Sequence, residues 1–134
     1  MRDFIFGVEE NVTTAFVIVE SVKGFMLLYN KYRKCWEITG GYMEPGESSI
    51  DCAIRECKEE SNQEISGLKL IGTARYTAMN AAIYYSFLDE EKPFTENDEI
   101  RELRWWKPGE EIDEMDIESL RLITLYVQYN ETKA

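Results

Sequence analysis

Two apolar runs dominate the first third of the chain. Thr13 to Glu20, TTAFVIVE, is β-branched and almost continuously apolar, and Gly24 to Asn30, GFMLLYN, repeats that character after a break at Ser21 to Lys23. Runs that are apolar without alternation belong to strands covered on both faces, so this pair predicts a largely buried hairpin. Trp36 to Ile38 reads as a short third strand. Leu68 to Tyr76 and Ala82 to Asp89 alternate apolar with polar or aromatic positions and predict two more, with Met79-Asn80 in the turn between them. Glu90 to Glu99 is an acidic loop containing Pro93. After it, Ile100 to Lys107 (IRELRWWK) predicts a last strand, stopped by Pro108-Gly109. Alternation there sends one of Trp105 and Trp106 inward and the other outward.

Helical periodicity occurs twice. Ile50, Ala53, Ile54 and Cys57 stand at i, i+3, i+4 and i+7, an apolar stripe expected to pack on the core. Ser48 is placed to cap that helix, with Asp51 three positions on as its capping-box partner near the positive end of the dipole. Ile117 to Tyr129 has apolar residues at helical spacing and predicts a closing helix. Strands with two helices predict a layered α/β (α+β) sandwich, and 134 residues make one domain, 1–134.

Charge then sharpens the picture. Glu56, Glu59 and Glu60 fall at i, i+3 and i+4 on a second face of the first helix, where like charges repel by a few tenths of a kcal/mol per pair. The plain reading is a solvated helix face. The preceding Gly40-Gly41 and Pro45-Gly46 favour another, because a Gly-rich turn lets the backbone approach a ligand and runs straight into the acidic helix. Mg²⁺, a hard cation that shares carboxylates with substrate phosphates, would relieve the repulsion.

The chain has no histidine, which excludes Ser-His-Asp and Cys-His nucleophiles, His metal sites and imidazole proton shuttles. A net charge of −11 argues against a non-specific grip on nucleic acid, so no DNA binding is expected. MRDFIFGVEE interrupts a short apolar run with Asp3 and Glu9, so neither a secretory signal nor a membrane anchor is expected there. Cys35, Cys52 and Cys57 are odd in number and lack zinc-type spacing, as reduced cytoplasmic thiols would. Lys31, Arg33 and Lys34 form a small basic cluster that reads either as an exposed turn or as a phosphate contact.

Gly41, Glu47, Arg55, Glu56, Glu59 and Glu60 share one 23-residue window, Gly41 to Gln63. Their spacing resembles the signature box of the Nudix (MutT-like) hydrolases: Gly, five residues, Glu, seven residues, then Arg-Glu-aliphatic-x-Glu-Glu-x-Gly-aliphatic. Three positions depart. Thr39 stands where Pro commonly precedes the glycines, Asn62 where the family has Gly, and Gln63 where it has an aliphatic residue. Asn62 is a tolerable exchange at a left-handed helix end. Ile65 is a candidate to supply the apolar contact that Gln63 lacks.

The resemblance implies a Nudix-type α/β/α sandwich with a mixed central sheet. It implies metal binding by Glu56, Glu59, Glu60 and the Gly40 carbonyl, with Mg²⁺ as cofactor and Mn²⁺ as a substitute. Arg55 becomes the orienter of neighbouring carboxylates and Glu47 the brace of the loop. Glu59 is the first candidate for general base, with Glu99 and Glu102 second. Arg33, Lys34, Gly41, Tyr42 and Arg75 are candidate substrate contacts. Tyr42, Tyr76, Tyr84, Phe94, Trp105 and Trp106 are candidates to sandwich a base, although aromatic residues at strand spacing are more often core. The implied reaction is attack of water on one phosphorus of a nucleoside diphosphate linked to another group, in a nucleoside triphosphate or small nucleotide derivative. An RNA 5′ pyrophosphohydrolase and a non-catalytic nucleotide-binding module of the same fold are the alternatives, and a homodimer stays open.

Overall fold

The predicted hairpin is a fork. In the computed structural model, which describes residues 1–133, β2 (Thr14–Ser21) and β3 (Gly24–Asn30) are the two buried strands that the apolar runs predict. They pair only beside the turn, at Glu20 with Phe25 and Ser21 with Gly24, and then diverge. Each strand satisfies its backbone elsewhere, as a buried strand must. β2 runs parallel to β7 (Asn80–Phe87) from Thr14 to Glu20, and β3 runs antiparallel to β8 (Ile100–Trp106).

A single stretch of chain fills the gap between the diverging strands. β4 (Cys35–Glu37) pairs with β3 and β5 (Thr39–Tyr42) pairs with β2, with the buried Ile38 between them. On the other side, β6 (Lys69–Arg75) adds antiparallel to β7, and β1 (Asp3–Phe6) adds antiparallel to β6. The result is a mixed eight-stranded sheet. β1 was not expected from the sequence. Arg75, a candidate substrate contact, instead pairs with Asp3 of this strand at 2.6 Å. The turn before β7 is residues 76–79, not Met79-Asn80, because Asn80 already pairs with Arg75.

Alternation along β2 divides the core. Ala15, Val17 and Val19 pack with α1 (Ser49–Ser61), whereas Ile18 faces the layer of α2 (Ile117–Lys133) with Leu122, Ile123 and Tyr126. The two tryptophans follow the same rule: Trp106 is buried on the α2 side, and Trp105 packs on the α1 side. Full burial of each large α2 side chain contributes about 1.5–3 kcal/mol.

α1 is capped as expected at both ends. Ser48 accepts the Asp51 N–H at 3.2 Å, and Asn62 takes the left-handed conformation at φ 65°. Its buried face differs from the predicted stripe. Ser49, Cys52, Ala53, Cys57, Glu60 and Ser61 point inward, while Ile50 is exposed. Small side chains face the sheet because β5 approaches the helix closely. Among the described residues, no helix is long and apolar enough to cross a membrane.

Candidate active site

The site is built where α1 meets β5. Gly40 and Gly41 lie within β5 opposite Phe16 and Ala15, so the expected glycine turn is a strand and the turn proper begins after Tyr42. Close packing demands both glycines. A Cβ on Gly41 would come within 2.6 Å of the Glu56 carboxyl, and one on Gly40 would strike the Ala15 carbonyl and the Phe16 ring.

Arg55 organises the acidic face of α1. Its Nε and Nη2 hold the two Glu47 oxygens at 2.7 and 3.0 Å, its Nη1 reaches Glu56 at 3.0 Å and Glu59 at 3.2 Å, and Glu44 lies 2.9 Å from Nε. Nη2 also donates to the Tyr42 carbonyl at 3.2 Å. This guanidinium lowers the Glu47 pKa to about 2 by hydrogen bonding. Arg55 thus contacts Glu44, Glu47, Glu56 and Glu59 at once.

The three helix carboxylates have three different surroundings. Glu59 is more than half exposed and pairs with Arg55. Glu56 lines the cleft, and burial raises its pKa against the opposing pull of Arg55. Glu60 is buried behind the cleft wall, where its Oε1 accepts from Thr39 Oγ1 at 2.5 Å and Gly40 N at 3.2 Å. Burial pushes its carboxyl well above the ordinary range, and the neighbouring Glu99 pushes in the same direction. Thr39 thus earns its departure from the expected proline by holding Glu60.

The cleft itself has a volume of about 570 Å³. Of the sequence-predicted residues it gathers Arg33, Gly40, Gly41, Tyr42, Arg55, Glu56 and Glu99. Arg33 is already engaged in a bidentate pair with Glu37 at 2.6 and 3.0 Å. Lys34 is a left-handed turn residue, at φ 55°, that bonds the Asn30 carbonyl, and it does not reach the cleft. Glu102 is exposed on β8 opposite Tyr29, and Arg75 lies on β6, so neither joins the site. Of the aromatic candidates only Tyr42 and Tyr76 line it.

The rest of the lining was missed. Phe16, Ile38, Met79 and Leu122 form apolar walls, with Thr14, Asp116, Glu118 and Ser119 among them. Thr14 Oγ1 and Glu118 Oε2 are buried there without a hydrogen-bond partner. These residues come from β2, the β6–β7 turn and the start of α2, so no local motif announces them.

An oxygen-only donor set with raised carboxyl pKa values suits a hard divalent cation. Among the described residues no group of three acidic side chains converges into a preformed cage. A cation completed by water and substrate phosphates matches that partial set; Glu56 and Glu60, with the Gly40 carbonyl, are the groups that would hold it.

The layered sheet with its two helices recurs in known proteins, and the comparisons identify the family. The NUDIX domain model matches residues 10–126. The chain belongs to the Nudix family, whose members are hydrolases of phosphoric anhydride bonds. A NUDIX-family hydrolase from Clostridium perfringens is similar at TM-score 0.74 and 19% identity, over 89% of this chain and 99% of that one. A mutant of a Bacillus subtilis pyrophosphohydrolase aligns at TM-score 0.76 and 18% identity, over 97% and 90%. An Ap4A hydrolase binary complex from C. elegans aligns at TM-score 0.71 and 21% identity, over 89% and 96%. At these identities the structures speak for the fold. No curated protein matches the sequence.

Proposed function

We propose that this protein is a cytoplasmic, Mg²⁺-dependent pyrophosphohydrolase of a small nucleotide, with Mn²⁺ able to substitute. The observation that carries this reading is one cleft with two kinds of lining. Glu56, Arg55, Glu99 and the Gly40–Gly41 backbone offer polar groups to a polyphosphate, and Phe16, Ile38, Met79 and Leu122 offer apolar surface to a ring.

When bound, a divalent cation neutralises phosphate oxygens and lowers the pKa of a coordinated water. The chain's own residues do the rest. Arg55 holds Glu47, Glu56 and Glu59 in place, so that Glu56 stays aimed at the cleft. Thr39 and Gly40 fix the Glu60 carboxylate behind it. Glu99 faces Glu60 and lines the cleft, where it would take the proton from the attacking water. Its place in the cleft favours it over Glu59 and Glu102, which lie outside the lining. Arg33 exchanges Glu37 for a phosphate oxygen, a swap between two anions of matching fork geometry.

Within the cleft, the unpartnered Thr14 Oγ1 and Glu118 Oε2 favour a base with a polar edge, to which the Thr14 hydroxyl donates or from which it accepts and from which Glu118 accepts. The test is a panel of nucleoside triphosphates, ADP-ribose, nucleotide sugars and dinucleoside polyphosphates with Mg²⁺ in oxygen-18 water. We expect metal-dependent turnover with the label in one product phosphate. No turnover of any member, with either cation, would overturn the reading.

A further inference from the structure

The acidic connection between β7 and β8 is tied to α1 by three amide side chains that the function above does not use. Residues 88–99 contain no helix or strand and carry Asp89, Glu90, Glu91, Glu96, Asp98 and Glu99, charges that repel one another. Such a segment needs external bonds to hold one conformation.

Gln63 provides the first. It is fully buried, its Nε2 donates to the Lys92 carbonyl at 2.8 Å and to the Ser61 carbonyl at 3.1 Å, and its Oε1 accepts from Lys92 N at 2.8 Å. The side chain thus satisfies both backbone groups of Lys92, as a neighbouring strand would. Asn62, left-handed at the helix end, donates from Nδ2 to the Pro93 carbonyl at 2.9 Å. Asn97 closes the far side: its Nδ2 donates to the Glu60 carbonyl at 3.0 Å, while its Oδ1 accepts from Glu99 N and Ile100 N at 3.0 and 2.9 Å. Gln63 and Asn62 thus hold residues 92–93 and Asn97 holds the backbone of Glu99, which Lys31 N, donating to the Glu99 carbonyl at 2.8 Å, and Asn30 Nδ2, donating to its carboxylate at 3.2 Å, also fix.

We propose that Gln63 is a positioning residue, a latch that holds the 88–99 connection on α1 and thereby keeps Glu99 facing Glu60. The inference rests on the role given to Glu99 above. An aliphatic residue at this position would fill the space but leave both Lys92 backbone groups unpaired in a closed site. Gln63, one of the three positions at which this chain departs from the Nudix signature, is therefore put to a separate use.

The test compares the wild-type chain with Gln63→Met, which keeps length and volume, and Gln63→Leu as a second variant. Amide hydrogen exchange is followed across residues 88–100 and α1, and Mg²⁺ affinity is measured by calorimetry. Exchange at Lys92 and through Asn97 should rise at least about tenfold with α1 unchanged, and Mg²⁺ affinity should fall roughly tenfold, the lower end of losses caused by residues that orient ligands. In a Glu99→Gln background, Gln63→Met should add nothing further to the loss of affinity. Loosening of the connection at unchanged Mg²⁺ affinity, an additive loss in that background, or no Mg²⁺ binding by the wild-type chain would overturn the proposal. A wild-type chain that binds Mg²⁺ and shows the coupling, yet hydrolyses no nucleotide, would sink the enzymatic reading and leave the latch standing.

Discussion

The two helices cover opposite faces of one sheet in opposite ways. α2 buries Leu122, Ile123 and Tyr126, and Tyr126 stacks on Tyr85 with ring centroids 4.2 Å apart. α1 buries Cys52, Ala53 and Cys57, all fully enclosed, beside two glycines of β5. Bulk holds α2 in place and stabilises the fold. Smallness lets α1 approach the sheet, and the close approach is what brings Glu56 and Glu60 against the β5 backbone. One face is spent on stability and the other on the position of carboxylates, so equivalent perturbations should read out differently on the two sides.

The largest contrast should come from removing a charge at the α1 end. Glu99→Gln should lower kcat by roughly 10²–10⁴-fold, the usual contribution of a positioned general base, with the melting temperature nearly unchanged. On the opposite face, Ile123→Ala should cost about 2–5 kcal/mol of stability by chemical denaturation, while kcat of the folded fraction stays as in the wild type. A variant that loses both together would erase the distinction between the faces.

Overpacking α1 tests the same comparison more finely. Ala53→Leu should cost about 1–3 kcal/mol, a smaller stability loss than Ile123→Ala, yet it should lower kcat because the helix must move away from β5. The smallest effect is chemical. Burial raises the Cys57 thiol to about 12 and the Cys52 thiol to about 11, so both are protonated at neutral pH. Alkylation at pH 8 should modify the half-exposed Cys35 first and reach the two α1 thiols only on unfolding, or as pH rises toward those values. Early labelling of Cys57 would mean that the α1 face opens readily.

Much of this arrangement was legible in local pattern. The α1 helix, its Ser48 and Asn62 ends, the acidic triplet and the order of the main strands follow from spacing that a few neighbouring residues define. The fork between β2 and β3 was not legible, because continuous apolar runs fit a hairpin as well as two strands with separate partners. β1 is four residues long and gains its place by pairing with β6 and by packing Phe4 and Phe6 on the α2 side. Ile50 has the right period for the core, but the narrow gap beside Gly41 favours the small side chains next to it. Of the candidate site residues, Glu56, Arg55 and Glu99 line the cleft. Lys34, Arg75 and Glu102 do not, since a turn, an ion pair and an outward strand face each claim one of them. Thr14, Asp116 and Glu118 meet only through the tertiary fold, which no window of sequence contains.

The central claim is that α1 and β5 together hold a divalent cation between the chain and a polyphosphate. The most direct measurement is a crystal grown with Mn²⁺ and a non-hydrolysable nucleotide analogue, with the ion located by anomalous scattering. The account predicts the ion bonded to Glu56 and Glu60, phosphates along Gly40–Gly41 and the base between Phe16 and Leu122. An ion and phosphates lodged elsewhere, with Glu56 turned to solvent, would contradict it.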